Sequence, residues 1–440
     1  RPGGHVARAA MFMTWQVEAG HGCPISMTYS IVPALRKQPE LAAEWEPRFQ
    51  SLDYDPRSIP APSKRGALAG MAMTEKQGGS DVRANTTRAV PSNGGGPGGE
   101  YALTGHKWFC SAPMCDAFLV LAQAPGGLSC FLLPRWLPDG ARNAFHIQRL
   151  KDKLGNRSNA SSEVEFAGAT AWMVGEEGRG VPTIIDMVNH TRLDCVICTT
   201  AQMRQGVAQA THHAAYRAAF GKTLIDQPLM QNVLADLAIE SEAATITAMR
   251  LARAYDAPAD DEQEQLFRRI AAAISKYWIC KRGPAHAAEA LEVLGGNGYV
   301  EDSGMPRLFR ESPLNSIWEG SGNVICLDVL RAMAKTPQVL DALFEEIELA
   351  SGADARFDAF VASVRSELSD PADGIEARAR RLVERLALAL QGSLMVRHAA
   401  PASADAFCAS RMAGDWGRAF GTLPSGLDAG AIVERARPKL

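Results

Sequence analysis

Near Gly180 the apolar pattern of this chain changes period, and only an architecture of segregated strands and helices can follow that change. Upstream, Tyr101–Ser111, Ala117–Gln123 and Ser129–Arg135 are short runs rich in Val, Leu, Phe and Trp, parted by turn signals. Glu163–Phe166 and Ala171–Val174 continue the β pattern, so residues 70–176 predict a β domain. Downstream, Val181–Leu193, Cys195–Phe220, Pro228–Tyr255 and Gln263–Leu294 have helical periodicity, with Leu229, Val233 and Leu237 at i+4 predicting a buried stripe. Pro228 suits a first helical turn. Long helices with short connectors pack as an antiparallel bundle, here over 177–335. Residues 1–69 read as helix broken by turns and ending in the polar connector Ser51–Lys64, and 336–440 as a further helical region. The expected fold class is therefore α+β, multidomain and mostly α.

A chain of 440 residues exceeds what one core usually holds, so two to four domains are expected. The formal net charge of −3 supplies no general attraction to nucleic acid or anionic membrane, and no apolar run is long enough to span a bilayer. The first residue is Arg1, with no secretory leader, and the sequence reads as lacking an N-terminal portion. Nine scattered cysteines predict a reducing, cytoplasmic setting; Cys195 and Cys198 lie in an apolar run and read as core thiols. His212 and His213 are adjacent, so on a helix they diverge, and no metal site is expected.

The stretch with most chemistry is Asn315-Ser-Ile-Trp318-Glu319-Gly320-Ser321-Gly322-Asn323, followed by an apolar run, Val324–Leu330, that reads as helix. Glycines let backbone approach a ligand, and a helix start offers free N–H groups to phosphate or flavin oxygens. A carboxylate beside a tryptophan in an apolar pocket has the setting a general base needs. A solvated surface loop is the competing reading of these residues alone. Met71–Val82 carries hydroxyls and consecutive amides at a Gly-Gly turn that could hold the polar edge of a flat cofactor and a pyrophosphate. Gly105–Ser111 adds an aromatic wall and a hydroxyl on a strand. Asn93–Gly99 is glycine-rich but leads into a strand, so it reads as a hairpin loop.

In order and spacing these segments, with Leu294-Gly295-Gly296-Asn297-Gly298, resemble the acyl-CoA dehydrogenase family from about Gly70 to Arg331. The resemblance implies a partial N-terminal helical domain, a central β-barrel domain and a C-terminal four-helix bundle, with FAD as cofactor and a homotetramer as the assembly. It implies cofactor contacts from Met71, Ala72, Met73, Thr74, Gly79 and Ser80, with Thr74 near flavin N5. Phe109, Cys110 and Ser111 match a second flavin segment, with Trp108 one place earlier than the family's usual tryptophan. Arg217 and Phe220 match residues that reach the FAD of a neighbouring subunit, and Gln227, Gly295 and Gly296 match further contacts. Trp318, Gly320, Ser321, Gly322 and Asn323 match the flavin turn, Glu319 the catalytic base, and Arg192 the substrate-holding segment. Asn189 stands where that segment often has Asp, and Trp318 where Tyr is common, so weak acyl-CoA turnover of the isovaleryl-CoA type is expected.

Met73–Arg83, Lys151–Ser161, Trp318–Asn323 and the added helical region resemble the AidB-type, adaptive-response branch more closely. That branch implies double-stranded DNA as a partner and a part in protection from, or repair of, alkylation damage. Residues 341–373 hold nine acids and two arginines, while 374–440 hold ten basic residues and six acids. Arg378, Arg381 and Arg385 share a helix face and, with Arg331, are the expected DNA contacts, the acidic segment facing away or toward another subunit. An ordinary metabolic acyl-CoA dehydrogenase, and a DNA-binding protein that keeps FAD for structure, are the competing readings.

Overall fold

The computed structural model of the chain describes residues 4–370 and 374–439. Residues 1–3, 371–373 (the end of the acidic segment) and 440 lie outside the described residues. Helices α1 (Gly4–Trp15), α2 (Gly22–Leu35) and α3 (Pro39–Phe49) come first. Strands β1 (Ala69–Ala72), β2 (Arg88–Pro91), β3 (Glu100–Ser111), β4 (Ala117–Ala124), β5 (Gly127–Pro134), β6 (Phe145–Leu150) and β7 (Ser161–Val174) follow. Helix α4 (Gly180–Tyr216), a hairpin of β8 (Ala218–Ala219) and β9 (Lys222–Thr223), and helices α5 (Pro228–Asp256), α6 (Glu262–Val293), α7 (Met305–Glu311) and α8 (Gly322–Lys335) come next. Then come α9 (Gln338–Glu348), α10 (Ala355–Leu368), α11 (Ile375–His398), α12 (Pro401–Phe407) and α13 (Ala429–Ala436). Two compact units result: Ala19–Thr191, and α1 with everything from Arg192 onward.

In the first of these units β4 pairs with β2 and β5, β2 with β3, β3 with β7, and β7 with β5. That circuit closes a barrel, which removes exposed strand edges. Tyr101, Phe118, Phe131, Phe145 and Phe166 fill it. The two short strands expected at 163–166 and 171–174 are one strand, β7. Gly168, with φ +81°, is an extra residue between the pairs Leu103–Ala169 and Thr104–Ala167, so it makes a bulge rather than a turn. Strands β1, β2 and β6 carry no clear sequence signal; β6 buries only Phe145 and leaves the rest exposed. Residues 93–99 do connect antiparallel β2 and β3, and the Tyr101 hydroxyl accepts a bond from the Gly96 N–H at 2.8 Å.

The two helices expected over 181–193 and 195–220 are the single helix α4, which from Arg192 onward belongs to the second unit. Asp194, the polar residue that seemed to part them, is buried and paired with Arg8 at 3.3 Å. Phe220 lies beyond the helix, in the β8–β9 hairpin. The stripe on α5 also starts later than expected. Leu237 is fully buried but Leu229 is 84% exposed, because the first turn of α5 extends past the helices that cover its middle. Pro228 occupies the first turn of α5, and the Asp261 carboxylate caps α6 by accepting the Glu264 N–H.

The C-terminal helices fold back on this bundle through buried ion pairs. Arg250 of α5 joins Glu264 and Glu346, and Arg397 also reaches Glu346. Arg411, in a π-helical turn at Cys408–Met412, joins Asp236 and Glu240 of α5. The acidic segment does not face away from the arginine cluster. Glu367 of α10 pairs with Arg381 at 3.2 Å and Arg385 at 2.8 Å, and Asp370 pairs with Arg378 at 3.2 Å. The two segments are neighbouring antiparallel helices, so their opposite charges meet locally.

Candidate active site

Glu319 sits in a backbone turn that its own side chain disfavours. Its φ is +58° and that of Gly320 is +108°. A non-glycine residue in the left-handed region costs about 1–3 kcal/mol and persists only where the surroundings over-determine it. Here they do. Lys276, deep in α6 and 1% exposed, donates to the carbonyl oxygens of Trp318, at 2.8 Å, and Gly320. Arg192, also buried, donates from Nε to the Glu319 carbonyl at 3.1 Å. Three successive carbonyls are thus taken by two cations. Arg192 is fixed in turn by Asp328 of α8 at 2.8 Å, which also receives Arg269 at 3.0 Å. Burial pushes the Asp328 carboxyl upward, but the two arginines outweigh it and hold it below the usual range.

The turn runs directly into α8, whose N-cap Ser321 makes no side-chain cap, so the first N–H groups of the helix have no capping oxygen from it. Gly322 is closely approached by two long cationic side chains. A Cβ there would stand 2.9 Å from Arg380 Nη2 and 3.1 Å from Lys281 Cε. Trp318 is half-buried and donates from Nε1 to Asn315 Oδ1 at 3.1 Å, and Asn323 is exposed.

Other expected residues of this unit lie open. Phe220 is fully exposed at φ +53°, next to the exposed Arg217, and Gln227 closes their hairpin by donating to Ala219 O at 2.9 Å. A fully exposed aromatic ring in a strained turn has no packing role inside its own protomer. Gly295 and Gly296 are exposed, and a Cβ on either would meet nothing within 4 Å.

In the barrel unit Met71 and Ala72 end β1, with Ala72 fully buried. Met73 and Thr74 follow, half-buried, and the Thr74 carbonyl accepts the Trp108 N–H at 2.8 Å. Gly79 and Ser80 are exposed, and a Cβ on Gly79 would collide with Thr74 Oγ1, so the loop is tightly folded. Phe109 is 50% exposed, whereas the Cys110 thiol points into the core, where burial pushes it up to about 12. The ladder shifts register between Lys107 and Cys110, which places Trp108 and Phe109 in a bulge; Lys151 Nζ lies 3.5 Å and 4.6 Å from their ring centroids. Ser111 Oγ is 3.5 Å from Ser161 Oγ.

Beneath this loop lies a buried pair that no motif marked. Glu75 and Lys107 are both fully buried and 2.9 Å apart. The carboxylate also accepts the N–H and hydroxyl of both Thr86 and Thr87. Burial disfavours its charge, but these bonds and Lys107 hold it well below the usual carboxylate range. Lys276 was likewise unmarked, although a lone lysine in the apolar run Ala271–Cys280 is a readable signal.

Each unit by itself carries open backbone and polar groups of the kind that a flavin dinucleotide needs. The α8 N-terminus, the bare backbone at Gly295–Gly296 and the half-exposed Phe109 beside the Thr74 loop are each open where the family's cofactor contacts fall. Cys110 and Ala72 can contribute only backbone. Arg192, expected at the substrate, is instead buried against Asp328 and the Glu319 carbonyl. Of the expected DNA contacts, Arg331 is exposed on α8, while Arg378, Arg381 and Arg385 carry acidic partners.

Comparison with known proteins shows the family. Residues 178–334 match the acyl-CoA dehydrogenase C-terminal domain, 70–169 its middle domain, and 1–56 the N-terminal domain of the adaptive response protein AidB. The chain is 49% identical over 410 residues to the putative acyl-CoA dehydrogenase AidB of Escherichia coli, covering 93% of this chain and 74% of that protein. Acyl-CoA dehydrogenase family member 11 of Caenorhabditis elegans is 31% identical over 418 residues, covering 87% of this chain and 66% of that one. The crystal structure of ACDH-11 from the same organism, in complex with C11-CoA, superposes with a TM-score of 0.81 at 28% identity, covering 89% of this chain and 71% of that one. This chain therefore belongs to the acyl-CoA dehydrogenase family of FAD-dependent oxidoreductases, in the branch that carries the AidB N-terminal domain.

Proposed function

We propose that the chain oxidises an acyl-CoA thioester, of short or branched acyl chain, with Glu319 as the base that removes the α-proton. The observation that carries this is the Glu319 turn, a strained backbone held at three carbonyls by buried Lys276 and Arg192. So much fixed charge around one exposable carboxylate has no evident use in stability alone. Bound FAD supplies the hydride acceptor. The chain's own residues position the base, and the loop from Thr74 to Ser80 and the Gly320–Asn323 turn offer the polar contacts. The relative solved with C11-CoA supports a thioester ligand. Trp318 stands before the base and narrows the space beside it, so turnover is slow. Glu319→Gln keeps the side chain's shape and removes its basicity. Flavin reduction by isovaleryl-CoA is expected to fall by at least ~10²-fold, with FAD content unchanged. Equal reduction rates in variant and parent would remove Glu319 from the chemistry.

The second reading is that this flavoprotein binds duplex DNA, in the protective role that the AidB domain suggests. What favours it is a group of cations without acidic partners among the described residues. Arg331 and Lys335 lie one turn apart on α8, and Arg380 and Lys281 flank its start at Gly322. Arg378, Arg381 and Arg385 contribute less, because Glu367 and Asp370 already offset them. Contacts to phosphates alone give sequence-independent binding whose log–log salt slope is about −0.9 per phosphate neutralised. Replacing Arg331, Lys335 and Arg380 with Ala should flatten that slope by roughly 2–3, measured by anisotropy on a labelled duplex. An unchanged slope refutes this face.

A further inference from the structure

We infer that Lys276 is a positioning residue for Glu319, resting on the reading of Glu319 as the base. An ammonium group taken out of water costs several kcal/mol unless its protons are satisfied. Lys276 is 1% exposed, yet no carboxylate among the described residues lies within ion-pair distance of it. Its compensation is two backbone carbonyls, Trp318 O and Gly320 O, the residues immediately before and after Glu319. A buried cation without a counter-ion contributes little to stability as such. What it does is specify one backbone conformation.

The geometry explains how. Trp318 O and Gly320 O belong to peptide units on either side of Glu319 Cα. Both converge on a single Nζ only when the chain reverses locally, and the Glu319 φ of +58° with the Gly320 φ of +108° is that reversal. Arg192 takes the carbonyl between them, but it is already anchored by Asp328. Among the described residues, Lys276 is therefore the side chain that spans the base from both sides. Relaxing φ to the ordinary right-handed region would swing the Glu319 side chain by more than a bond length. Misplacement by about 1 Å can cost on the order of 10²-fold in rate.

The test uses Lys276→Met, which keeps the length and removes the donors, and Lys276→Gln, which keeps one N–H donor on a shorter side chain. Two readouts are taken on the full chain. In the FAD-loaded protein, the limiting rate of flavin reduction by isovaleryl-CoA should fall by ~10–10²-fold in the Met variant, with the Kd for the acyl-CoA within about twofold. The Gln variant should fall between Met and parent. In FAD-free protein, amide exchange within residues 317–323 should accelerate by ~10-fold or more, as expected for loss of charge-assisted bonds, while the barrel strands exchange as in the parent. If Met does not fold, the Gln variant alone decides on the same two readouts. A limiting rate and turn exchange both unchanged overturn the inference, as does a loss that falls entirely on Kd. Because exchange is read without cofactor or substrate, turn loosening in the Met variant combined with full activity of Glu319→Gln would refute the catalytic reading and leave the positioning contact standing.

Discussion

Removing Arg411 should release the C-terminal region from the bundle. Its guanidinium is 1% exposed and donates to Asp236 at 2.5 Å, to Glu240 at 2.9 Å and to Ser410 Oγ at 3.0 Å, while stacking 4.2 Å from the Trp416 ring. Asp236 is fully buried, and its other oxygen accepts the Gly421 N–H at 2.9 Å. Glu240 keeps a second cation, Arg282, at 3.2 Å. Arg411→Ala therefore leaves one carboxylate buried without a cation and another with half its compensation. Breaking a buried pair from one side costs about 3–5 kcal/mol. The damage is local to the joint, so the assay is native-state hydrogen exchange. At 1.4 kcal/mol per decade, amides of α12 and α13 should exchange about 10²–10⁴-fold faster, the barrel strands unchanged.

A compensating pair makes the reasoning refutable. Arg411→Met with Asp236→Asn removes one positive and one negative charge and leaves Glu240 paired with Arg282. Replacing both partners of a buried pair is often close to neutral, so the double variant should regain most of the protection that Arg411→Ala loses. Additive losses in the double variant, or a single-variant loss below about 1 kcal/mol, would show that the C-terminal helices are held by apolar contact alone.

Three further outcomes are expected. Burial holds His286 down to about 4, so its stabilising neutral form is fully present above the unfolded value of about 6.5 and is lost as pH falls between the two. Glu240, pushed up by burial but held lower, at about 2, by Arg282 and Arg411, adds a second loss between about 4.5 and 2. Urea unfolding at graded pH should show stability falling from pH 6.5 downward, and His286→Gln should remove the upper limb. Phe220→Ala should leave the thermal midpoint of the isolated protomer within about 1 °C, since the ring buries nothing, and in light scattering it should shift the proposed homotetramer toward smaller species. Lys107→Met should cost about 3–5 kcal/mol in the barrel by stranding buried Glu75, read by exchange of β1 and β4.

Most of the architecture was legible because it rests on period. β3 buries alternate residues over its first half, β4 and β5 are near-continuous apolar runs buried on both faces, and the long helices after 180 follow the helical repeat. What misled was polarity at a single position. Asp194 looked like a break in α4 because nothing local reveals that Arg8, nearly two hundred residues earlier, neutralises it. The runs 163–166 and 171–174 read as separate strands because the bulge at Gly168 interrupts the apolar pattern between them. Leu229 fits the α5 stripe by spacing, yet spacing cannot tell how far along a helix its neighbours extend.

The same limit applies to the candidate site, and it explains which residues a motif can and cannot reveal. Glu319 and Gly320 are readable because their constraints are local: a carboxylate and a positive φ belong to one turn. Lys276, Arg192 and Asp328 act on that turn from α6, α4 and α8, so their part depends on pairings that only the folded bundle brings together. Charge count misleads in the same way. Arg378, Arg381 and Arg385 make the C-terminal segment basic on paper, but α10 returns Glu367 and Asp370 to the same face. What a cation does in this chain is decided by its partner. Those facing carboxylates fasten helices, those facing carbonyls fix backbone, and those with neither among the described residues, Arg331 and Lys335 among them, are the ones proposed above to meet an external phosphate.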